Sequence, residues 1–368
     1  MSTLELSAVA KIISGQHILE SDHNQAGRGI GYLTGPADFG LIRPKIARWT
    51  ERPRVVCEPG DILITVKGAG VGKINLAPDE TVAIGRQLMA IRGDNRRIDK
   101  DYLFSFLLTR LSHFQEKAVG ATVPGLSRED LETLSIPLLP LPKQREIAAF
   151  LKAQLGEVEA ARQSALHQTR ELLSFANATV RDSLNHPETQ TRSLGDVLDE
   201  VRAGVGTGWA EFPVLGATRG GLALAKEPVG KNPERYKPVQ RGSVFYNPMR
   251  ILIGSIAMVD DGDTPGITSP DYVVLRGREG LVDSRWFYYW LRSPYGEHCI
   301  ASLARGAVRE RMLFNRLAEG EITLPPLHVQ QAGSQALAEI RPLKTHIEKQ
   351  LREIERLPAR LLAQAFQE

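Results

Sequence analysis

The chain is expected to be an α+β protein built twice over: two similar globular α/β units separated by two long helices. Three observations predict this. Ile136-Pro137-Leu138-Leu139-Pro140-Leu141 is followed by a long helical run, and Ile322-Thr323-Leu324-Pro325-Pro326-Leu327 is followed by another. Ile322 lies 186 residues after Ile136, Leu327 lies 186 after Leu141, and Gln330 lies 186 after Gln144. Both helical runs are far longer than a small globular core can cover. A repeat at a fixed period outranks any single motif as a guide to architecture.

The elements follow in order. Leu4, Leu6, Val9, Ile12 and Ile13 form a short amphipathic lead-in. Gly27 to Gly31 and Gly35-Pro36 interrupt regular structure. The turn Glu58-Pro59-Gly60 precedes a strand over Asp61 to Val66, and further strands are expected at 81–84 and 88–92. Asp99-Lys100-Asp101 starts a helix, residues 120–125 form a loop, and Ile136 to Leu139 form a last strand. From Lys143 to Leu184 the apolar positions Ile147, Leu151, Leu155, Val158, Ala161, Ala165, Leu172, Ala176 and Val180 recur mostly at spacings of three and four. Such a helix is about 60 Å long at about 1.5 Å per residue, so its apolar stripe needs a partner helix.

After the linker Asn185 to Thr189 the pattern returns. Gly242 repeats Gly60 and Gly254 repeats Gly72 at offset 182, Gly277 repeats Gly93 and Asp283 repeats Asp99 at 184, and Arg305-Gly306-Ala307 repeats Val119-Gly120-Ala121 at 186. The drift from 182 to 186 fits small insertions in loops. The last run places Ile340, Ile347, Ile354 and Leu361 seven apart, with Leu343 and Leu357 as the second row of a heptad seam, and Pro342 and Pro358 are expected to kink or break it. The expected boundaries are 1–142 for the first unit, 143–186 for the central helix, 187–327 for the second unit and 328–368 for the final helix. The two helices most simply pair as an antiparallel coiled coil, with the units related by a pseudo-twofold axis.

Composition narrows the function classes. Among 368 residues 42% are hydrophobic and 24% charged, with formal charge +3. The balance leans basic, at a pI near 8.8, which permits an anionic partner. Cys57 and Cys299 are too few for a disulfide scaffold or a zinc ribbon. No apolar stretch is long enough to span a bilayer, so a reduced, cytoplasmic protein without membrane contact is expected.

No catalytic or metal-binding set emerges, and no cofactor is expected. Gly68-Ala69-Gly70-Val71-Gly72-Lys73 lacks the spacing of a phosphate loop, and Ile74 stands where a Ser or Thr would hold magnesium; a hairpin turn is the better reading. Asn247-Pro248-Met249-Arg250 lacks the aromatic residue that would stack a flipped base. No acidic cluster suggests a nuclease. Tyr246, Trp286, Tyr288, Tyr289 and Trp290 are assigned to the second core. The coherent signal is basic residues on expected loops: Arg28, Arg43, Lys45, Lys67, Lys73 and Arg86 in the first unit, and Arg219, Lys226, Lys231, Arg235, Lys237 and Arg250 in the second. Singly these are ordinary solvated charges. As a set they suit phosphate neutralisation, with Gln87 beside Arg86 a candidate reader of base edges. Twin modules on one chain suit a ligand that offers two sites at a fixed separation, as duplex DNA does.

The layout resembles the specificity (S) subunit of type I restriction-modification systems. The resemblance rests on the twice-repeated strand–helix unit and on Ile136 to Leu141 leading into Gln144-Arg145-Glu146-Ile147, with Leu324-Pro325-Pro326-Leu327 before Gln330 as its copy. It rests also on Gly60-Asp61-Ile62-Leu63-Ile64 with Gly72-Lys73, and on the tail Leu361 to Phe366. It covers essentially the whole chain. It implies that the globular units are target recognition domains, each reading half of a bipartite site in double-stranded DNA. It implies further that the helices dock two adenine-N6 methyltransferase (M) subunits, joined by restriction/translocase (R) subunits, and that the chain itself is non-catalytic. The alternative is a coiled-coil scaffold in another defence complex, without base readout.

Overall fold

In the computed structural model the described residues are 3–40, 42–68, 70–119, 125–304 and 311–366. They divide into two units: residues 1–163 with 351–368, and residues 164–350. In chain order the first unit contains β1 (Thr3–Glu5), β2 (Ala10–Ser14), β3 (Ile30–Leu33), β4 (Trp49–Thr50), β5 (Val56–Cys57), β6 (Ile62–Thr65), β7 (Ile74–Leu76), β8 (Val82–Ile84), β9 (Leu88–Gly93), α1 (Lys100–Leu108), α2 (Leu111–Val119), α3 (Arg128–Glu132) and β10 (Ser135–Pro137). The long helix α4 (Leu141–Leu184) follows and is shared with the second unit. The second unit has β11 (Gln190–Ser193), α5 (Leu194–Val197), β12 (Leu198–Glu200), β13 (Leu215–Thr218), β14 (Gly221–Leu224), β15 (Lys237–Val239), β16 (Val244–Tyr246), β17 (Ile256–Met258), β18 (Gly266–Thr268), β19 (Val273–Gly277), α6 (Ser284–Arg292), α7 (Pro294–Leu303), α8 (Phe314–Leu317), β20 (Glu321–Leu324) and α9 (Leu327–Ala338). The final helix α10 (Ile340–Phe366) is again shared.

The duplication seen in the sequence is a duplication of strand register. The first unit's central antiparallel sheet has the order β2-β9-β6-β7, and the second unit's has β12-β19-β16-β17. Ile62 opposes Ile91 and Leu76, just as Val244 opposes Leu275 and Met258. Leu4 opposes Ile136 in β1–β10, as Arg192 opposes Ile322 in β11–β20. The amphipathic lead-in is therefore two short strands, β1 and β2, each paired with a strand from much later in the chain. The units differ around this frame. The first adds a second sheet, β4-β3-β8-β5, and the second adds the hairpin β13–β14 and the pair β15–β18.

The same polar anchor ties each long helical run to its unit. Gln144 is fully buried: its side-chain oxygen accepts the Asp99 N–H at 2.8 Å, and its nitrogen donates to the carbonyls of Arg97 at 3.0 Å and Leu139 at 2.7 Å. Gln330 is equally buried and does the same with the Asp283 N–H at 2.9 Å and the carbonyls of Leu281 at 2.9 Å and Pro325 at 2.8 Å. Asp99 and Asp283 in turn cap α1 and α6 by accepting from the Tyr102 and Trp286 N–H groups. One glutamine thus joins strand end, helix cap and long helix, and a buried amide with three partners carries no desolvation penalty left unmet.

The cores sit between sheet and helices. In the first unit Leu6, Ile12, Ile64, Ile91, Leu103, Phe106 and Ile136 pack together, closed by Ile147 and Ala148 of α4 and by Phe366, whose ring lies 5.2 Å from Tyr102 and 5.5 Å from Phe106. In the second, Tyr246, Trp286 and Trp290 lie inside, with Tyr288 and Tyr289 packed against them, as expected. Leu172, Ala176 and Val180 of α4 join Leu337 and Ile340 there. The first unit takes the start of α4 and the end of α10, and the second unit takes the remainder of each.

Three helical details differ from expectation. Ala161 is exposed although it fits the stripe. Ile340, Ile347 and Ile354 are buried at their seven-residue spacing, but Leu343 and Leu357 face solvent. The second row of the seam lies four residues after each isoleucine, at Lys344, Leu351 and Pro358, all half-buried. A step of four brings the chain round to the other flank of the stripe from a step of three, so the leucines point away. Pro342 falls in the first turn of α10, where no intrahelical N–H is needed, and the helical run stops and restarts just ahead of it. Pro358 lies inside α10 without ending it. The repeat at 305–307 and most of the loop at 120–125 lie outside the described residues.

Candidate nucleic-acid interface

In the first unit three segments meet at one end of the strands. The turn between β6 and β7 is closed by Gly72 N–H to Thr65 O at 2.9 Å and Lys73 N–H to Gly70 O at 3.0 Å, with Gly72 at φ 83°. It is the hairpin turn expected in place of a phosphate loop. The turn between β8 and β9 is joined to it by Val66 N–H to Gln87 O at 2.8 Å. The segment after β3 completes the group: a Cβ at Gly35 would lie 2.0 Å from Gln87 Oε1, and one at Gly70 would lie 2.8 Å from Pro36. Asp38 holds this segment by accepting from the Thr34 N–H at 2.7 Å and the Thr34 hydroxyl at 2.8 Å. Lys67, Lys73, Arg86 and Gln87 are brought together here, all exposed. Lys45 is exposed close by, its N–H donating to Asp38 O at 2.7 Å.

The other two candidates of this unit stand apart. Arg28 is exposed on a turn made by Asn24, whose Oδ1 accepts the Arg28 N–H at 3.1 Å. Arg43 pairs with the Asp79 carboxylate and lies beside Ala77, at the far end of the β6–β7 hairpin. Both partners there are exposed, so solvent screens the pair and little energy is at stake.

In the second unit Arg219 occupies the tip of the β13–β14 hairpin, and its Nε donates to Ile253 O at 3.0 Å. This ties it to the turn between β16 and β17, in which Arg250 is exposed. Arg292, at the end of α6, ties the two turns: its guanidinium donates to the carbonyls of Arg219 at 2.5 Å, Gly254 at 3.1 Å and Ile256 at 2.9 Å. Lys344 adds a bond to Gly220 O at 3.2 Å. Sequence reasoning missed Arg292, because an arginine closing an aromatic helix carries no signal of its three carbonyl partners. Lys231 and Arg235 lie exposed on a separate segment, 230–235, fastened by the Tyr236 hydroxyl, which accepts the Gly230 N–H at 3.0 Å.

Lys237 corrects the sequence reading. It lies in strand β15 and not in a loop, and its side chain is only 12% exposed. Its ammonium donates to Tyr272 O at 2.7 Å and sits 3.8 Å from Glu200. Burial pushes its pKa down, with the Glu200 carboxylate opposing. A cation spent this way inside the unit is not available to a phosphate.

The two buried thiols are unreactive by environment: burial pushes Cys57 up to about 12 and raises Cys299 as well. Among the described residues no helix is long and apolar enough to cross a membrane.

Comparison with known proteins bears on these features. Residues 5–168 match the type I restriction modification DNA specificity domain family. That stretch of the chain is similar to type I DNA specificity domains. It holds the first unit's central sheet, the turns bearing Lys67, Lys73, Arg86 and Gln87, and the Gln144 anchor. A Methanocaldococcus jannaschii protein named as the MjaX type I restriction enzyme specificity subunit is 38% identical over 143 residues, which are 39% of this chain and only 33% of that protein. The MjaVIII specificity subunit of the same organism is 22% identical over 353 residues, 87% of this chain and 81% of that one. Solved structures share the fold over nearly the full length. The type I S subunit of M. genitalium aligns at TM-score 0.55 and 16% identity over 99% of this chain and 96% of its own. The HsdS subunit of Thermoanaerobacter tengcongensis aligns at 0.53 and 18% over the same shares. A chain from a study of assembly and conformational transition of the type I restriction-modification system aligns at 0.66 and 17% over 99% and 97%. The fold of these solved structures is therefore shared by both units.

Proposed function

We propose that the chain is the DNA-recognition subunit of a type I restriction-modification complex. Each unit reads one half of a bipartite site, and the long helices dock two adenine-N6 methyltransferase subunits, with restriction/translocase subunits completing the assembly. Methylation and cleavage reside in those partners, and this chain contributes binding and placement alone. One observation carries the reading: an identical strand register and glutamine anchor occur twice, while the turn after the second central strand differs in chemistry between the copies. A shared frame with divergent turns is what two different half-sites demand. Lys67, Lys73, Arg86 and Gln87 form the contact group of the first unit, with Lys45 at its margin and Arg28 and Arg43 outlying. Arg219 and Arg250 form that of the second, with Lys231 and Arg235 on a neighbouring segment.

The test is direct. The purified chain should retard a random duplex at low salt, release it as salt rises, and transfer no methyl group when S-adenosylmethionine is added. Addition of the methyltransferase subunits should confer adenine methylation at a split, asymmetric site. Methylation by the chain alone, or no affinity for duplex in either setting, overturns the proposal.

A further inference from the structure

The turn between β16 and β17 stands at the same place in the repeat as the lysine-bearing turn between β6 and β7. At offset 182 Met249 replaces Lys67, Leu252 replaces Gly70, Ile253 replaces Val71 and Ser255 replaces Lys73, while Gly254 repeats Gly72 with φ 79° against 83°. The first turn is basic and glycine-rich. The second carries three large apolar side chains at the surface: Met249 is 61% exposed, Leu252 57% and Ile253 52%. Three such side chains within five residues are an exposed apolar patch of the kind that marks an interaction site.

The patch is held rigidly. Ile251 is buried and pins its middle. Asn247 Oδ1 accepts the Met249 N–H at 3.0 Å, Arg219 donates to Ile253 O at 3.0 Å, and Arg292 donates to Gly254 O at 3.1 Å and Ile256 O at 2.9 Å. A surface fixed in this way loses little freedom on binding. Cations flank it, since Arg219 and Arg250 are both exposed. The cationic border is complementary to the phosphates that flank a duplex groove.

The geometry points to the turn 249–253 as an apolar reading surface for thymine in the half-site of the second unit. This rests on the proposed DNA-recognition role and assigns how one half-site is read. Aliphatic side chains offer no hydrogen bond, and the one apolar feature at the major-groove edge of a base pair is the thymine C5-methyl. Leu252 and Ile253 therefore select A·T pairs by methyl contact, while Arg219 and Arg250 hold the adjoining phosphates. The first unit, lacking apolar side chains at Lys67, Gly70 and Lys73, reads its half-site by charge and hydrogen bonding.

The experiment uses the full chain, alone and reconstituted with its methyltransferase subunits. Its preferred duplex is selected from a random pool and then synthesised with thymine or with deoxyuridine, which lacks only the methyl. Removing one contacted methyl should weaken binding about fourfold, the worth of one buried methyl-sized group. The variant Leu252→Ser/Ile253→Ser should bind thymine and deoxyuridine duplexes equally, and Arg250→Ala should weaken both alike and keep their ratio. Exposed positions tolerate serine, and an unchanged unfolding midpoint confirms the fold. Salt-sensitive, sequence-selective binding with no deoxyuridine penalty, or a penalty that survives in the double variant, overturns this inference and leaves the DNA-recognition role intact. Loss of methyltransferase binding in the double variant with an unaltered thymine preference overturns it in favour of protein docking. No duplex binding in either setting overturns both.

Discussion

The Gln144 and Gln330 anchors set a quantitative expectation. Replacing Gln144 with leucine keeps the volume roughly constant and removes three hydrogen bonds, of 2.7 to 3.0 Å, from a fully buried group. Each such bond contributes about 0.5–1.5 kcal/mol net, and stranding the Asp99 N–H and the Arg97 and Leu139 carbonyls adds to that. The expected loss is about 3 kcal/mol, with about 2 to 5 as the range. Gln330→Leu should lose a similar amount, since its bonds go to the equivalent backbone groups of the second unit with lengths within 0.2 Å. The losses should fall in different places, as Gln144 serves residues 1–163 and Gln330 serves residues 164–350. Hydrogen exchange resolved by peptide is the assay, because two units of one chain need not unfold together. Gln144→Leu should lower protection in β2, β6 and β9, and Gln330→Leu in β12, β16 and β19. Gln144→Glu should be worse at neutral pH, because a carboxylate cannot donate to either carbonyl, and should recover partly as acid protonates it. A change below about 0.5 kcal/mol for both leucine variants would refute the assignment of these glutamines as anchors.

Other outcomes follow from single sites. Cys57 and Cys299 should resist iodoacetamide at pH 8 until urea is added, each then reacting as its own unit opens; rapid labelling of the native chain contradicts the burial assigned to them. Burial pushes Asp130 up, but the Ser127 hydroxyl and N–H and the Lys117 ammonium outweigh it and hold the carboxyl below its usual value. Its contribution is therefore present above that usual value and lost as pH falls through the folded one. Asp130→Asn should cost about 1 kcal/mol or less at pH 7 and nothing near pH 2, read from urea midpoints. Lys67→Ala with Lys73→Ala should weaken duplex binding and reduce the salt slope by about 1.8, two phosphates at about 0.9 each. An unaltered slope removes both lysines from the interface.

Much of the architecture is legible in the residues because it is written locally and written twice. The capped start at Asp99, the stop at Pro140 and the three-and-four spacing from Ile147 to Val180 each need only neighbours in sequence to be recognised. Their recurrence at Asp283, at Pro325-Pro326 and from Ile340 onward marks one unit copied along the chain. The second row of the seam is not legible for a definable reason: a leucine three residues on and a lysine four residues on are both within reach of a seam, and hydrophobicity favours the wrong one. Only packing shows that Lys344 is half-buried while Leu343 faces water.

The candidate site was legible only as a list of basic residues. Lys67, Arg86 and Gln87 share a face because β6 pairs with β9, and Gly35 joins them because β3 pairs with β8. Lys237 leaves the list because a strand carries its ammonium to the Tyr272 carbonyl. That two copies of one frame exist is readable from the residues, since periodicity and caps are properties of neighbours along the chain. Which side chains meet at the end of each frame is a matter of folding, since it depends on hydrogen bonds between strands and turns far apart in the chain.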